Sequence, residues 1–365
     1  MLLFFAQPIQ LGVWLARIAE IQTSLDLTKS ELSLALIGMP VGLLPTLYFA
    51  GRIIDRIGSR QAFLWAFPVM GVVGISPSLA TNQTTLFIAL VLLGAVFAFT
   101  EVALNVFAAK IEKIFLIQIM NRAHGFWSLG VMIGSLVSVQ LAGLNLAAQD
   151  VLVLSGLMAV SILVIGSWAA PDLSADPTAS LPSTGSRIPK GIFPIIAVVF
   201  GATLAEGAMN DWATVYMNEA PWGGSPNDGL AVTSFVAMVT LARFSGDWCA
   251  RKFGVVTLAR SGLCLSILGI FILVNATYML MALVGFALVG LGVATIFPLA
   301  ISATARLSTQ HQARNVSIMT FGALLGFLIG PPIIGFASDV LGLKTALIFI
   351  TPVLGISVIY ASRLK

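Results

Sequence analysis

Twelve long apolar stretches, separated by short polar segments, constrain the fold of this chain more than any other feature. An α-helix rises ~1.5 Å per residue, so roughly 20 apolar residues cross a hydrocarbon core of ~30 Å. Of the 365 residues, 58% are hydrophobic and only 9% are charged, which is more apolar surface than a soluble domain of this length can bury. The sequence therefore predicts an all-α polytopic membrane protein. The predicted spans are residues 2–22, 32–54, 62–80, 85–109, 123–145, 150–170, 191–217, 229–248, 256–274, 277–302, 315–338 and 343–361.

Basic residues are divided very unevenly between the two sets of loops that these spans create. Sixteen of the 19 Lys and Arg residues fall on the side that also carries both termini. The exceptions are Arg17, Lys29 and Lys344. Cytoplasmic loops carry the excess of basic residues in membrane proteins. The sequence thus predicts that both termini are cytoplasmic.

A segment rich in Pro, Ser and Thr divides the chain in the middle. Residues 171–190 lie between the sixth and seventh predicted spans, on the basic side. Such a composition is typical of a linker between domains. We therefore expect an N-terminal six-helix bundle over residues 1–170, a cytoplasmic linker over 171–190, and a C-terminal six-helix bundle over 191–365.

The two predicted halves repeat one turn motif at the same place. Residues 51–60 read GRIIDRIGSR after the second span, and residues 243–254 read RFSGDWCARKFG after the eighth. Each segment combines one acid with flanking arginines and glycines. Internal repeats of this kind are common in secondary transporters.

The turn at residues 51–60 resembles the signature loop of the major facilitator superfamily. The less well matched copy at residues 243–254 and the two predicted halves of six spans each also resemble that family. That resemblance implies that these turns control conformational change, whereas the alternative is that their arginines only set the topology. The residues concerned are Gly51, Arg52, Asp55, Arg56, Gly58, Arg60, Arg243, Asp247 and Arg251.

Four further segments are similar to the branch that includes fucose:proton symporters. They are residues 14–18 (WLARI), 101–105 (EVALN), 206–212 (EGAMNDW) and 330–335 (GPPIIG). The resemblance implies a secondary transporter of the bacterial inner membrane that works by alternating access. Its small-molecule site would then lie between the halves, near the bilayer midplane.

Two glutamates lie deep within predicted spans, each followed by an asparagine one helical turn later. The pairs are Glu101 with Asn105 and Glu206 with Asn210. Charges at membrane depth are costly and usually functional. One hypothesis is that Glu101 and Glu206 carry protons while the asparagines bind substrate. The alternative is that each pair makes a hydrogen bond that packs helices together.

Arg17 and Asp211 lie in the half of their spans that faces away from the basic loops. Three roles for Arg17 stay open: a local pair with Glu20, a bridge to Asp211 that gates the outer side, or direct contact with substrate. Only the second of these roles makes the two residues a gate between the halves.

Other polar and aromatic residues within the spans are candidates for binding substrate or for packing. Aromatic rings stack on sugar rings, and amides bind hydroxyl groups. The candidates are Gln7, Gln10, Trp14 and Trp212, beside the two asparagines.

Several functional classes lack the residues that they require. Two cysteines and two histidines do not suggest a metal centre, and we expect no metal or other cofactor. There is no GxxxxGK[ST] motif for ATP-driven transport and no catalytic constellation, so an enzyme is not predicted. The net charge of +4 does not indicate a nucleic-acid partner.

The function predicted from the sequence is secondary transport of a small polar solute, with a sugar-like solute favoured. Coupling to protons is expected, and the protein is expected to act as a monomer in the lipid bilayer. The alternatives are a proton-coupled exporter of drugs or metabolites and a non-transporting sensor that has a transporter fold.

Overall fold

A computed structural model describes residues 1–117, 119–171, 189–307 and 312–365, and it contains twelve helices that are long and apolar enough to cross a membrane. The predicted fold class is thereby confirmed. In the N-terminal half the helices are α1 (Leu2–Ala6 and Ile9–Ser24), α2 (Lys29–Leu36 and Gly38–Ile57), α3 (Ser59–Val73), α4 (Gln83–Phe115), α5 (Met120–Gly143) and α6 (Ala148–Ala169). In the C-terminal half they are α7 (Ile192–Glu219), α8 (Leu230–Phe253), α9 (Val255–Val274), α10 (Met279–Val293 and Ile296–Arg306), α11 (Gln312–Leu341) and α12 (Leu343–Ile348 and Ile350–Tyr360).

Interruptions in four of the helices lie just before a proline. The breaks come after Ala6, Leu36, Val293 and Ile348, and the prolines are Pro8, Pro40, Pro298 and Pro352. Proline has no N–H to donate to the carbonyl four residues earlier, so the helix is interrupted there. These breaks divide α1, α2, α10 and α12 into two helical segments each within one span.

Three pairs of helices are joined by a single glycine in a conformation that favours glycine. Gly58 joins α2 to α3 (φ 82°), Gly254 joins α8 to α9 (φ 84°), and Gly342 joins α11 to α12 (φ 79°). A side chain at such a φ is strained. Gly58 and Gly254 occupy the same place in their halves, so the repeat recognised in the sequence corresponds to one local backbone structure.

The two six-helix bundles pack against each other mainly through three pairs of helices, with a smaller contact between α1 and α8. These pairs are α5 with α8, α2 with α11, and α1 with α7. Most of the predicted linker, residues 172–188, lies outside the described residues, so the domain boundaries at 170 and 191 remain predictions.

The two ends of the bundle differ in how the halves meet. Because twelve spans return the chain to its starting side, both termini and Gly58 lie at one end, which we call the basic end; the opposite end is the far end. At the basic end a cleft of about 500 Å³ separates the bundles. Residues of α4 and of the start of α5 line one side of the cleft, and residues of α8 line the other.

Candidate functional site

A cavity of about 210 Å³ lies between the two bundles. Helices α1, α2, α4 and α5 contribute its wall on one side, and α7, α8 and α11 contribute the other. The wall is mostly apolar, and five of its residues have strongly polar or charged side chains: Ser128, Glu206, Asn210, Asp211 and Arg243. Ligand sites commonly have volumes of ~300–1,000 Å³, so this cavity suits a small solute.

Arg243 is the centre of the polar contacts in this cavity. One guanidinium nitrogen lies 3.3 Å from Glu206 Oε1, and another donates a hydrogen bond of 2.6 Å to Ser128 Oγ. The guanidinium also lies 5.9 Å from the ring centre of Trp127. Arg243 thus pairs with an acid of its own bundle while it binds a hydroxyl of the other bundle.

The sequence interpretation counted Arg243 with the basic residues of the loops, although the predicted span 229–248 includes it, and the structure places Arg243 within the helix. Helix α8 continues to Phe253, so Arg243 lies inside the span and faces the cavity. A short polar motif near a helix end does not reveal where the helix stops, and here ten further residues of α8 follow Arg243. When Arg243 is no longer counted among the loop residues, the excess of Lys and Arg at the basic end is nearly unchanged.

Glu206 and Asn210 both line the cavity, but they do not act as a hydrogen-bonded pair. Glu206 is bound to Arg243 instead. Asn210 makes no hydrogen bond with the described part of the chain. Its amide is therefore available to a ligand, and its role in binding substrate remains a prediction.

Glu101 and Asn105 are hydrogen-bonded to each other on α4, and their predicted roles in proton coupling and substrate binding remain predictions. Asn105 Nδ2 donates to Glu101 Oε1 at 3.2 Å and to the Glu101 backbone oxygen at 3.0 Å. The other carboxylate oxygen of Glu101 is buried and has no partner among the described residues. Neither residue is part of the cavity wall.

The two predicted glutamines lie behind the cavity wall. Gln7 accepts a hydrogen bond of 3.0 Å from Trp127 Nε1 and donates one of 3.1 Å to Thr100 Oγ1. Gln10 donates to two backbone carbonyls of its own bundle, those of Gly71 at 3.1 Å and Leu152 at 3.2 Å. Gln7 therefore orients a wall residue, whereas Gln10 joins α1 to α3 and α6.

Of the two predicted tryptophans, only Trp14 reaches the cavity. Trp14 lines the wall on the α1 side. Trp212 is fully buried away from the wall, and its Nε1 has no partner among the described residues. Trp127, which is not among the residues proposed from the sequence, is also a wall residue.

The predicted bridge from Arg17 to Asp211 is absent from this conformation. Arg17 forms an ion pair with Glu20 and donates to Ser138 Oγ at 2.9 Å and to the Leu146 carbonyl at 3.2 Å. Arg17 pairs with Glu20 because the two side chains lie three residues apart on one helix. Asp211 lines the cavity and makes no hydrogen bond or ion pair with the described residues.

Different charged residues, which the sequence interpretation missed, join the bundles at the far end. Lys29 Nζ lies 2.6 Å from Glu219 Oε1. Asp339 accepts hydrogen bonds from the backbone N–H groups of Lys29 at 3.2 Å and Ser30 at 3.0 Å. We call Lys29, Glu219 and Asp339 the far-end latch. The sequence offers only one signal for it, namely that each residue is charged and close to the end of a span.

The residues of the turn at 51–60 contact their own bundle. Arg52 lies over the Tyr48 ring at 4.8 Å, and Arg60 donates to the Trp168 carbonyl at 3.1 Å. Gly58 supplies the turn, Gly51 lies inside α2, Asp55 is half-buried and Arg56 is exposed. Asp247 and Arg251 line the cleft at the basic end. Their roles in conformational change remain predictions.

Twelve spans in two bundles, with a solute-sized cavity at the interface, define a polytopic transport protein. A family model described as the Major Facilitator Superfamily matches residues 1–254 and 220–364. The chain therefore belongs to the Major Facilitator Superfamily, and it is a secondary transporter by fold. The resemblance to this family that the turn at residues 51–60 suggested is confirmed.

Curated relatives match nearly the whole chain. An uncharacterized transporter, y4wD, of Sinorhizobium fredii is 26% identical over 92% of this chain and 89% of its own length. The membrane protein MosC of Rhizobium meliloti is also 26% identical, over 98% of this chain and 87% of its own.

Solved structures share the fold over the full chain. The nucleoside transporter NupG, in a mutant form, superposes with a TM-score of 0.79 at 13% identity and covers 100% of this chain and 97% of its own. The fucose:proton symporter FucP of E. coli gives a TM-score of 0.64 at 17% identity, with the same coverage. At such identities the likeness shows the fold alone.

Proposed function

We propose that this protein is a proton-coupled secondary transporter of a small solute, working by alternating access in the bacterial inner membrane. The observation that carries the proposal is the cavity between the bundles, where Arg243 connects Glu206 of one bundle to Ser128 of the other. A polar link inside the membrane that spans both halves is suited to joining solute binding to their relative movement.

In this proposal the basic end is cytoplasmic and both termini lie inside the cell. The far-end latch then closes the outer side, while the cleft at the basic end leads toward the cytoplasm. Opening outward requires Lys29 to part from Glu219 and the start of α2 to part from Asp339. The chain performs this cycle as a monomer, because each chain contains both halves and the cavity between them.

Proton coupling is assigned first to Glu101. Its unpartnered carboxylate oxygen is buried, and reorienting an unpaired ionised carboxylate through a low-dielectric interior costs several kcal/mol. A proton on Glu101 removes that cost. Glu206 is the second candidate, because protonating it releases Arg243 from the ion pair.

A sugar-like solute is the first choice for the substrate, and two structural neighbours support it, the nucleoside transporter NupG and the fucose:proton symporter FucP. Export of drugs or metabolites is the second candidate. The observation that favours export is the mostly apolar wall, which offers few partners to a hydroxyl-rich ring.

The substitution Glu101→Gln, which mimics the protonated acid, tests the coupling. A thermal-shift screen of sugars, nucleosides, amino acids and organic acids first supplies a solute that binds. In proteoliposomes we expect the variant to lose accumulation driven by a proton gradient while it retains counterflow of that solute. Asp150→Asn, at an exposed acid at the start of α6, is the control and is expected to keep both activities.

Accumulation that persists in Glu101→Gln contradicts the assignment to Glu101 and moves it to Glu206. If Glu206→Gln also accumulates solute, the protein is a facilitator without proton coupling. If the wild-type protein performs neither counterflow nor accumulation of any solute that binds, transport itself is contradicted, and the sensor alternative takes its place.

A further inference from the structure

We infer that the central cavity binds a small organic cation, an ammonium group on a mostly apolar body, and that Asp211 is its counter-ion. This inference deepens the proposed function and rests on it, since it names the chemical class of the solute for the same cavity. It differs from the sugar-like first choice, and it concerns a residue that was otherwise considered only as part of a gate.

The charges on the cavity wall do not balance within the described residues. Glu206 and Arg243 form an ion pair and neutralise each other. Asp211 is the remaining charged residue of the wall, and neither a cation nor a hydrogen-bond donor of the described chain reaches its carboxylate. An unpaired carboxylate in an apolar cavity is costly unless a proton or a cation compensates it.

The cation that the sequence suggested for Asp211 is already engaged elsewhere. Arg17 pairs with Glu20 and donates two further hydrogen bonds to Ser138 and one to the Leu146 carbonyl, all in the N-terminal bundle. Moving Arg17 to Asp211 would forfeit these contacts. In this conformation Asp211 is therefore left for a ligand.

The rest of the wall suits a cation that carries a hydrocarbon body. Trp14, Trp127, Phe235 and Phe327 present aromatic rings, which attract cations through their π faces. Asn210, adjacent in sequence to Asp211, offers an amide oxygen that accepts a hydrogen bond from an ammonium N–H. The aliphatic residues of the wall contact the apolar part of such a ligand.

Other classes of solute fit the wall less well. An anion would add a second uncompensated negative charge beside Asp211. A hydroxyl-rich ring would bury several hydroxyl groups against an apolar wall, and each buried polar group without a partner weakens binding. A small monovalent organic cation balances the charge and leaves few polar groups unpaired.

The test compares ligands that share one hydrocarbon body and differ in the polar group, which is a protonated amine in one and a neutral hydroxyl in the other. Cyclohexylamine and cyclohexanol form one pair, and benzylamine and benzyl alcohol form another; at pH 7 both amines are protonated. Binding to the purified full-length protein is measured by titration calorimetry and by the shift in its unfolding temperature. We expect each amine to bind wild type at least about tenfold more tightly than its alcohol, because charge-assisted hydrogen bonds are the stronger ones.

Variants of Asp211 then test whether this residue causes the preference for the amine over the alcohol. Asp211→Asn should remove it, Asp211→Glu should retain it, and the control Asp150→Asn, which removes one exposed negative charge, should behave as wild type. The inference is overturned if wild type binds each amine no more tightly than its alcohol, a result that does not depend on the folding of any variant. It is also overturned if a folded Asp211→Asn protein keeps the preference.

The outcomes separate this inference from the proposed function. A protein that transports neutral solutes and shows no preference for amines keeps its function as a transporter and contradicts the cation site. A protein that binds amines through Asp211 but moves no solute across a bilayer keeps the cation site and contradicts transport.

Discussion

At the residue scale, Arg243 links two polar groups that belong to different bundles. Its guanidinium has several donors in a fixed plane, so it reaches Glu206 and Ser128 at once. Both members of the ion pair are largely buried, with side chains that are 17% exposed. The pair therefore affects stability as well as function, because each charge depends on the other for compensation.

Removing one member of this pair should destabilise the protein more than removing both. Arg243→Met leaves Glu206 as an uncompensated buried charge, and we expect a loss of ~3 kcal/mol. The double variant Arg243→Met with Glu206→Gln should regain part of that loss. A double-mutant cycle of the free energy of unfolding, including Glu206→Gln alone, measures the coupling. Strictly additive effects would show that the two side chains do not stabilise each other.

At the element scale, a close approach of α2 and α11 holds the far end together. A Cβ at Gly335 would lie 2.3 Å from Ser33 Cβ and 2.8 Å from the Lys29 carbonyl oxygen. The absence of a side chain on α11 thus allows α2 close enough for Asp339 to accept the N–H groups at the start of that helix. Helices in membranes commonly approach through small residues in this way.

Gly335→Ala should force α2 and α11 apart and open the far end. The reporter is Asn210→Cys in the cavity wall, in a protein whose native Cys249 and Cys264 are replaced by serine. In intact cells, we expect an impermeant maleimide to modify the reporter several-fold faster once Gly335→Ala is added.

Gly355→Ala is the matched control for that experiment. Gly355 lies on α12, and an added Cβ there meets nothing within 4 Å. The control should leave the labelling rate unchanged. An equal rate in Gly335→Ala and in the control would mean that this contact does not keep the outer side closed.

At the scale of the whole molecule, the proposed orientation in the membrane rests on the charges of the loops. Lys and Arg residues concentrate at the end that carries both termini, and the positive-inside rule favours a cytoplasmic position for that end. In the proposed orientation, the far-end latch is an outer closure and the cleft at the basic end is the route between the cavity and the cytoplasm.

Two exposed glutamines at opposite ends provide a matched test of this orientation. Gln61 lies at the start of α3 at the basic end, and Gln149 lies at the start of α6 at the far end. With the native cysteines replaced by serine, an impermeant maleimide should label Gln149→Cys in intact cells. It should label Gln61→Cys only after the membrane is permeabilised. The reverse pattern would invert the topology and assign the latch to the cytoplasmic side.

The sequence by itself determined the twelve spans, the repeated turn and the family, because these depend on local properties. Hydrophobic length makes a span, and the glycine turn at Gly58 needs only its own backbone. Glu206 and Asn210 were also recognisable as candidates, since a polar residue deep within an apolar stretch can be found from the sequence alone.

Only the tertiary structure decided which polar residues meet. Arg17 turns to Glu20 and leaves Asp211 without a partner, Arg243 enters the cavity, and Gln10 packs within its own bundle. Lys29 meets Glu219 across 190 residues of chain. Partner choice depends on the distances and rotations of helices distant in sequence. Those are set by the packing of apolar faces, which polar motifs in the sequence do not encode.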